Sequence, residues 1–171
     1  MRLWTKMIDE GLHVHSRVIG MCISVRHVNQ AAGQEAIDKY YQEMQEDVRR
    51  RNDLINIKHG LDSPLLPNAV GYFKKLFRQM DITLAERSWL AGDTFSLADI
   101  SLGVYVTRMA GFNMAQLWVD LENLNAWHAR FKARPSYAEG VERWGDDTSS
   151  KRAKYAADAF STIKSLWQAA I

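Results

Sequence analysis

Residues 89–109 read WLAGDTFSLADISLGVYVTRM, and the middle of that stretch specifies where a helix must begin. Ser96 is placed to act as an N-cap, accepting a hydrogen bond from the backbone N–H of Asp99. The Asp99 carboxylate reaches back to the N–H of Ser96, which makes a capping box. Phe95 before the cap and Ile100 at the fourth helical position have the spacing of a hydrophobic staple. Leu97, Ile100, Leu102, Val104, Tyr105, Val106 and Met109 then leave the helix apolar nearly all round, the pattern of a helix buried on most sides. Ser101 and Gly103 are small enough to let neighbouring helices come close. The expectation is an all-α bundle around this buried central helix.

The flanking sequence carries the same periodicity. Residues 1–28 place Trp4, Met7, Ile8, Gly11, His15, Val18, Ile19 and Cys22 on one helical stripe, with no capping residue ahead of it. Gly33 offers a break. A second helix is predicted over about residues 34–58, with Ile37, Tyr40, Tyr41, Met44, Val48 and Ile55 along one side. The run Gly60-Leu61-Asp62-Ser63-Pro64 is a strong breaker. A third helix starts near Pro67, a residue suited to a first helical turn, and carries Val70, Phe73, Leu76, Phe77, Met80 and Leu84. Beyond the central helix, Leu121, Leu124, Trp127, His128 and Phe131 form another stripe that ends before Arg134-Pro135. Residues 145–149, GDDTS, are the one linker-like shift in composition, and residues 150–170 form a last helix with Ala156, Ala159, Phe160, Ile163, Leu166, Trp167 and Ala170 in phase.

Composition narrows the function classes. The 171 residues carry 22 basic and 20 acidic side chains for a net charge of +2, too little for strong attraction to nucleic acid or an anionic membrane. One cysteine rules out an intrachain disulfide and suits a reducing, cytoplasmic setting. No signal peptide is visible, and the apolar run 18–25 is far short of the roughly 20 residues a membrane span needs. The histidines do not have metal-ligand spacing: His13 and His15 are two apart and point to different helix faces, so no metal site is expected. Arg49-Arg50-Arg51, between Asp47 and Asp53, reads as a solvated face.

WLAGDTFSLADISLGVYVTR followed by LENLNAWHARFKARPSY resembles the C-terminal domain of glutathione S-transferases. MRLWTKMIDEGLH and HGLDSPLL are similar to the bacterial and fungal subgroup that includes β-aryl-etherase-like enzymes. The resemblance covers residues 1 to about 144, so the division expected is a transferase C-terminal-like helical domain over 1–144 and a linker with a helix packed on it over 145–171. In that family MRLWTK falls within the first helix of this domain, behind a thioredoxin-like domain that holds glutathione and the thiol-activating residue. The resemblance therefore implies the C-terminal half of a transferase, with no catalytic residue of its own and inactive by itself. No tightly bound cofactor is implied, and glutathione would be a co-substrate only together with the N-terminal domain.

The resemblance also implies an acceptor pocket between the first and central helices. Carried onto this sequence, its substrate-binding residues would be Trp4, Met7, Ile8, Gly11 and His15, with Tyr105 and Arg108. Such a pocket, apolar with few polar groups, suits a hydrophobic small-molecule electrophile. The same residues at helical spacing also read as ordinary core, and Arg108 near a helix C-terminus favours the helix dipole. Ser96 and Asp99 read as structural caps rather than as acid or base. A homodimer is implied, with contacts from the first and third helices. The competing reading is a non-catalytic interaction module, the role such domains play when appended to translation factors and aminoacyl-tRNA synthetases. The last helix could dock on the bundle, cover the pocket or face a partner, and docking is the reading adopted.

Overall fold

The structure, a computed structural model, describes residues 2–144 and 148–171, the stretch 148–153 by its backbone alone. The described residues form helices and short turns with no strand, and a single isolated bridge pairs Trp89 with Gly92. Residues 145–147 of the expected linker lie outside the described residues.

Helix α1 runs over residues 2–32, four residues beyond its expected end, and stops at Gly33, whose φ of 90° suits only glycine. It is not uniform. Ile8–Leu12 and Met21–Val25 are π-helical, each inserting an extra residue into the α ladder. The predicted second helix is two: α2 (Gln34–Gln42) and α3 (Asp47–His59). No glycine or proline marks the break. It lets Ile37 and Tyr41 of α2 close over Met21 and Ile57 in a small second core, while Val48, expected on the buried stripe, is 63% exposed. The turn Gly60–Asp62 leads to α4 (Leu66–Leu84), which starts with proline in its first turn. All six expected stripe residues of α4 are buried. At roughly 1.5–3 kcal/mol for each large apolar side chain removed from water, this stripe is a major source of cohesion.

α5 (Leu97–Gly111) is the helix predicted from residues 89–109, and its capping box is present. Ser96 Oγ accepts from the backbone N–H of Asp99 as expected and also from that of Ala98 at 3.2 Å, and Ser96 N–H donates to Asp99 Oδ2 at 2.9 Å. Burial differs from the expectation. Ala98, Leu102, Gly103, Val106 and Met109 face the core, while Leu97, Ile100 and Val104 are 58%, 46% and 42% exposed. The staple partner Phe95 instead has its ring against Trp89, at 4.9 Å between centroids, with Arg134 stacked 3.6 Å above it.

A turn at Ala115–Trp118 leads to α6 (Glu122–Lys132) and then to α7 (Pro135–Gly140). The α6 N-terminus has no cap of its own, and Asp81 of α4 supplies one by accepting from the N–H of Leu124 at 2.9 Å. α8 (Thr148–Ala169) packs on α4, α5 and the second π segment, burying Ala156, Ala159 and Ile163. Trp167 sits 6.2 Å from Phe77 and 6.4 Å from Trp118, and Lys74 donates to the Ala170 carbonyl. The last helix is docked in the bundle. No helix among the described residues is long and apolar enough to cross a membrane.

Candidate functional site

Between α1 and α5 lies a groove of about 830 Å³. His13, Ser16, Arg17, Ser24 and Val25 line it from α1, Val104, Tyr105, Thr107, Arg108 and Gly111 from α5, and Phe112 and Val141 from beyond. Seven of these twelve residues have polar side chains, set among apolar wall.

Of the expected residues, Tyr105 and Arg108 line this groove, and the α1 candidates are not among its lining residues. Trp4 is buried and donates its indole N–H to the Leu90 carbonyl at 3.0 Å. Met7, Gly11 and His15 all meet Tyr72 of α4. The Tyr72 hydroxyl donates to the Met7 carbonyl at 3.2 Å, a Cβ on Gly11 would stand 3.2 Å from the Tyr72 ring, and the His15 ring lies 4.4 Å from it. Burial lowers the pKa of His15 and keeps its imidazole neutral. Ile8 is half-buried against the main core. His13, Ser16 and Arg17 line the groove from α1 instead.

His13 and Tyr105 span the groove, with Nδ1 and the phenol oxygen 3.1 Å apart and the rings edge to face. Burial raises the Tyr105 pKa, nearby Arg108 opposes that, and Asp9 adds to it. The phenol therefore stays protonated and able to donate. Arg108 rests over Phe112, its guanidinium carbon 5.5 Å from the ring centre, and its Nη2 would stand 2.5 Å from a Cβ on Gly20. Glycine at position 20 lets the arginine lie across α1.

Arg17 also reaches the far side of α1, where it binds buried Asp53 of α3. Its Nε donates to both carboxylate oxygens at 2.8 and 3.1 Å, and its Nη2 to Oδ2. This pair forms part of a second cleft, about 440 Å³, between α1 and α3. At its base Asn56 accepts from Ser63 Oγ at 2.6 Å and from Cys22 Sγ at 3.5 Å. Burial pushes the Cys22 thiol up to about 12, so it stays a thiol and is chemically quiet. No period or motif announced Arg17, Asp53 or Asn56, because the contacts join separate helices.

Ser96 and Asp99 are structural. The Asp99 side chain is wholly buried and takes four donors: Leu90 N–H, Trp127 Nε1, Ser96 N–H and Ser96 Oγ, each at 2.9 Å. With every lone pair engaged, it has no capacity left for a substrate proton. Among the described residues no group of three His, Cys, Asp or Glu side chains could hold a metal.

An all-helical bundle with a capping-box helix at its heart, and a groove beside that helix, define the class of domain. The family model for the glutathione S-transferase C-terminal domain matches residues 34–130, and the chain belongs to that family. It is similar to glutathione S-transferase GstB of Escherichia coli (strain K12), 31% identical over 66 residues, or 39% of this chain and 31% of that protein. It is also similar to tetrachloro-p-hydroquinone reductive dehalogenase of Sphingobium chlorophenolicum, 30% identical over 100 residues, or 57% of this chain and 40% of that protein. The matched stretch thus spans less than half the length of these curated relatives. No solved structure matches significantly.

Proposed function

We propose that this chain is the acceptor-substrate and dimerisation half of a cytoplasmic, homodimeric glutathione transferase-like enzyme. The observation that carries the reading is the α1–α5 groove of about 830 Å³, within the usual range for a small-molecule site. Val25, Val104 and Phe112 offer apolar wall for an aromatic ring, and Tyr105 and Arg108 offer donors beside it. Both relatives carry the names of enzymes, and one is named for action on a chlorinated hydroquinone.

In the proposed reaction the thiolate of glutathione is supplied by a thioredoxin-like domain, which the resemblance sets N-terminal to this one. Its sulfur attacks the electrophilic carbon of the acceptor. A C–S bond forms as the bond to the leaving group breaks, and the electron pair departs on a halide or an aryloxide. Tyr105 and Arg108 are assigned the role of donors to that developing charge. Glutathione is a co-substrate, no tightly bound cofactor takes part, and the 171 residues alone do not turn over.

The test combines two titrations of the pure chain. Glutathione at millimolar concentration should give no saturable heat and no turnover, because its site belongs to the other domain. An aromatic electrophile such as 1-chloro-2,4-dinitrobenzene should shift the NMR signals of Tyr105 and Val104. Saturable glutathione heat, or no shift in the groove, overturns the reading. The exposed stripe Leu97, Ile100 and Val104 favours a second reading, a non-catalytic interaction module. That reading gains if the aromatic probe fails to bind while sedimentation shows association that Ile100→Glu abolishes.

A further inference from the structure

We propose that the cleft between α1 and α3, about 440 Å³, is a second ligand site that takes a neutral small molecule with an apolar body and a carbonyl oxygen. The proposal is independent of the acceptor groove. That volume is within the usual range for a small-molecule site. Asn56 lines the cleft and is 0% exposed, yet its Nδ2 has no hydrogen-bond partner among the described residues. The other end of the amide is engaged. Asn56 Oδ1 accepts from Ser63 Oγ and Cys22 Sγ, and neither Ser63 nor Cys22 lines the cleft. Both partners are donors there: Ser63 Oγ itself accepts from the Leu65 N–H at 3.3 Å, and buried Cys22 keeps its proton. The amide oxygen is therefore turned away from the cleft, and the N–H end is the one left for it. A buried donor without a partner is costly, and a carbonyl oxygen placed against it would remove that cost.

Charge does not compete for the site. Every Arg, Asp and Glu side chain on its wall is already paired: Arg17 with Asp53, Arg49 with Glu46, and Asp47 with Arg50. A charged ligand would give up its hydration without meeting an unpaired opposite charge, so a neutral one is favoured. Val14 and Val48, 50% and 63% exposed, offer apolar wall that a ligand body would cover. A second donor lies on the same helix face. Arg49 meets Glu46 through Nη1, and its Nε is buried without a partner among the described residues. Arg49 and Asn56 are seven residues apart, close to two helical turns, so a ligand with an acceptor at each end of its body suits both.

The test titrates the whole chain with acetophenone and with ethylbenzene, which share a shape and differ in the carbonyl, and follows both by NMR. Acetophenone should move the Asn56 side-chain N–H signals downfield in a saturable way, with shifts at Val14 and Val48. Ethylbenzene should shift the valines alone. Asn56→Leu should weaken acetophenone binding about tenfold and leave ethylbenzene unchanged. Val48→Glu, at an exposed position, should weaken both. 1,4-Diacetylbenzene should bind a few-fold more tightly than acetophenone, and Arg49→Met should remove that gain. Thermal melts show which variants remain folded, and the wild-type Asn56 signals decide the question if Asn56→Leu does not fold. Asn56 signals that respond equally to both probes, or an equal loss for both in Asn56→Leu, overturn the carbonyl assignment. No gain from the second acetyl group removes Arg49 from the site. Shifts confined to Tyr105 and Val104 put the ketone in the α1–α5 groove and overturn the second site, as does binding of neither probe.

Discussion

Arg17 and Asp53, 36 residues apart, form a two-pronged ion pair that ties α1 to α3. The aspartate side chain is 2% exposed and the arginine 27%, so the pair is sunk on one side and wet on the other. Arg17→Met should cost about 3–5 kcal/mol, because a buried carboxylate loses its counter-ion. The double variant Arg17→Met with Asp53→Leu should regain much of that loss, and urea melts of the set measure it. Additive losses would show that the pair is not coupled.

Gly103 of α5 lies against the Phe131 ring of α6. A methyl there would collide with the Phe131 ring, itself packed between Trp127 and Tyr137 and with little room to retreat. Gly103→Ala should therefore lose about 1–3 kcal/mol despite the better helix propensity of alanine. A thermal melt higher than wild type would contradict this packing.

Asp99→Ala would strand the N–H of Leu90, the indole N–H of Trp127 and the N–H of Ser96 together. With each buried donor costing about 1–3 kcal/mol, the chain should lose most of its stability or fail to fold. Asp99→Asn, which keeps one acceptor oxygen, should be milder. Equilibrium unfolding of the two side by side gives the ranking.

Acid should weaken the fold through His128. Burial, with Lys132 nearby, lowers its pKa to about 4, and its Nε2 lies 3.0 Å from Thr107 Oγ1. His15 and His27 are lowered too, chiefly by burial. Between about pH 6.5 and 4 the unfolded chain therefore binds more protons than the folded one. Stability is full above that window and declines as pH falls through it. For half-buried His128 the loss is about 1–2 kcal/mol after allowing for solvent screening. Urea melts at the two ends of the window should show it, and His128→Gln should flatten the curve. A stability rising on acidification would reverse the sign.

The sequence made local features legible and left the tertiary ones dark. Ser96 and Asp99 lie three residues apart, so their mutual capping could be read from the string alone, as could the α4 stripe at helical spacing. The cap that Asp81 lends to α6 could not, since 43 residues separate donor from acceptor. Nor could the break between α2 and α3, which answers to Met21 and Ile57 rather than to any local breaker. Tyr105 and Arg108 lie three residues apart on α5, a regular helix, so their nearness on the groove wall follows from helical spacing. The contacts that Tyr72 makes with the Met7 carbonyl, Gly11 and the His15 ring were not legible, since they join α1 to α4 across more than 50 residues.

The two π segments make α1 a helix assembled from three rods of slightly different phase. Each inserted residue rotates the rod on its N-terminal side by about 100° relative to the rod on its C-terminal side. Removing one residue from Ile8–Leu12 would restore a plain helix and swing Trp4 away from the Leu90 carbonyl. Removing one from Met21–Val25 would misalign His13 and Arg17 against α5 while leaving Arg26–Ala32 in register. The chain thus behaves like a camshaft, in which the angular offset between its lobes, more than their chemistry, fixes which partner each end can engage.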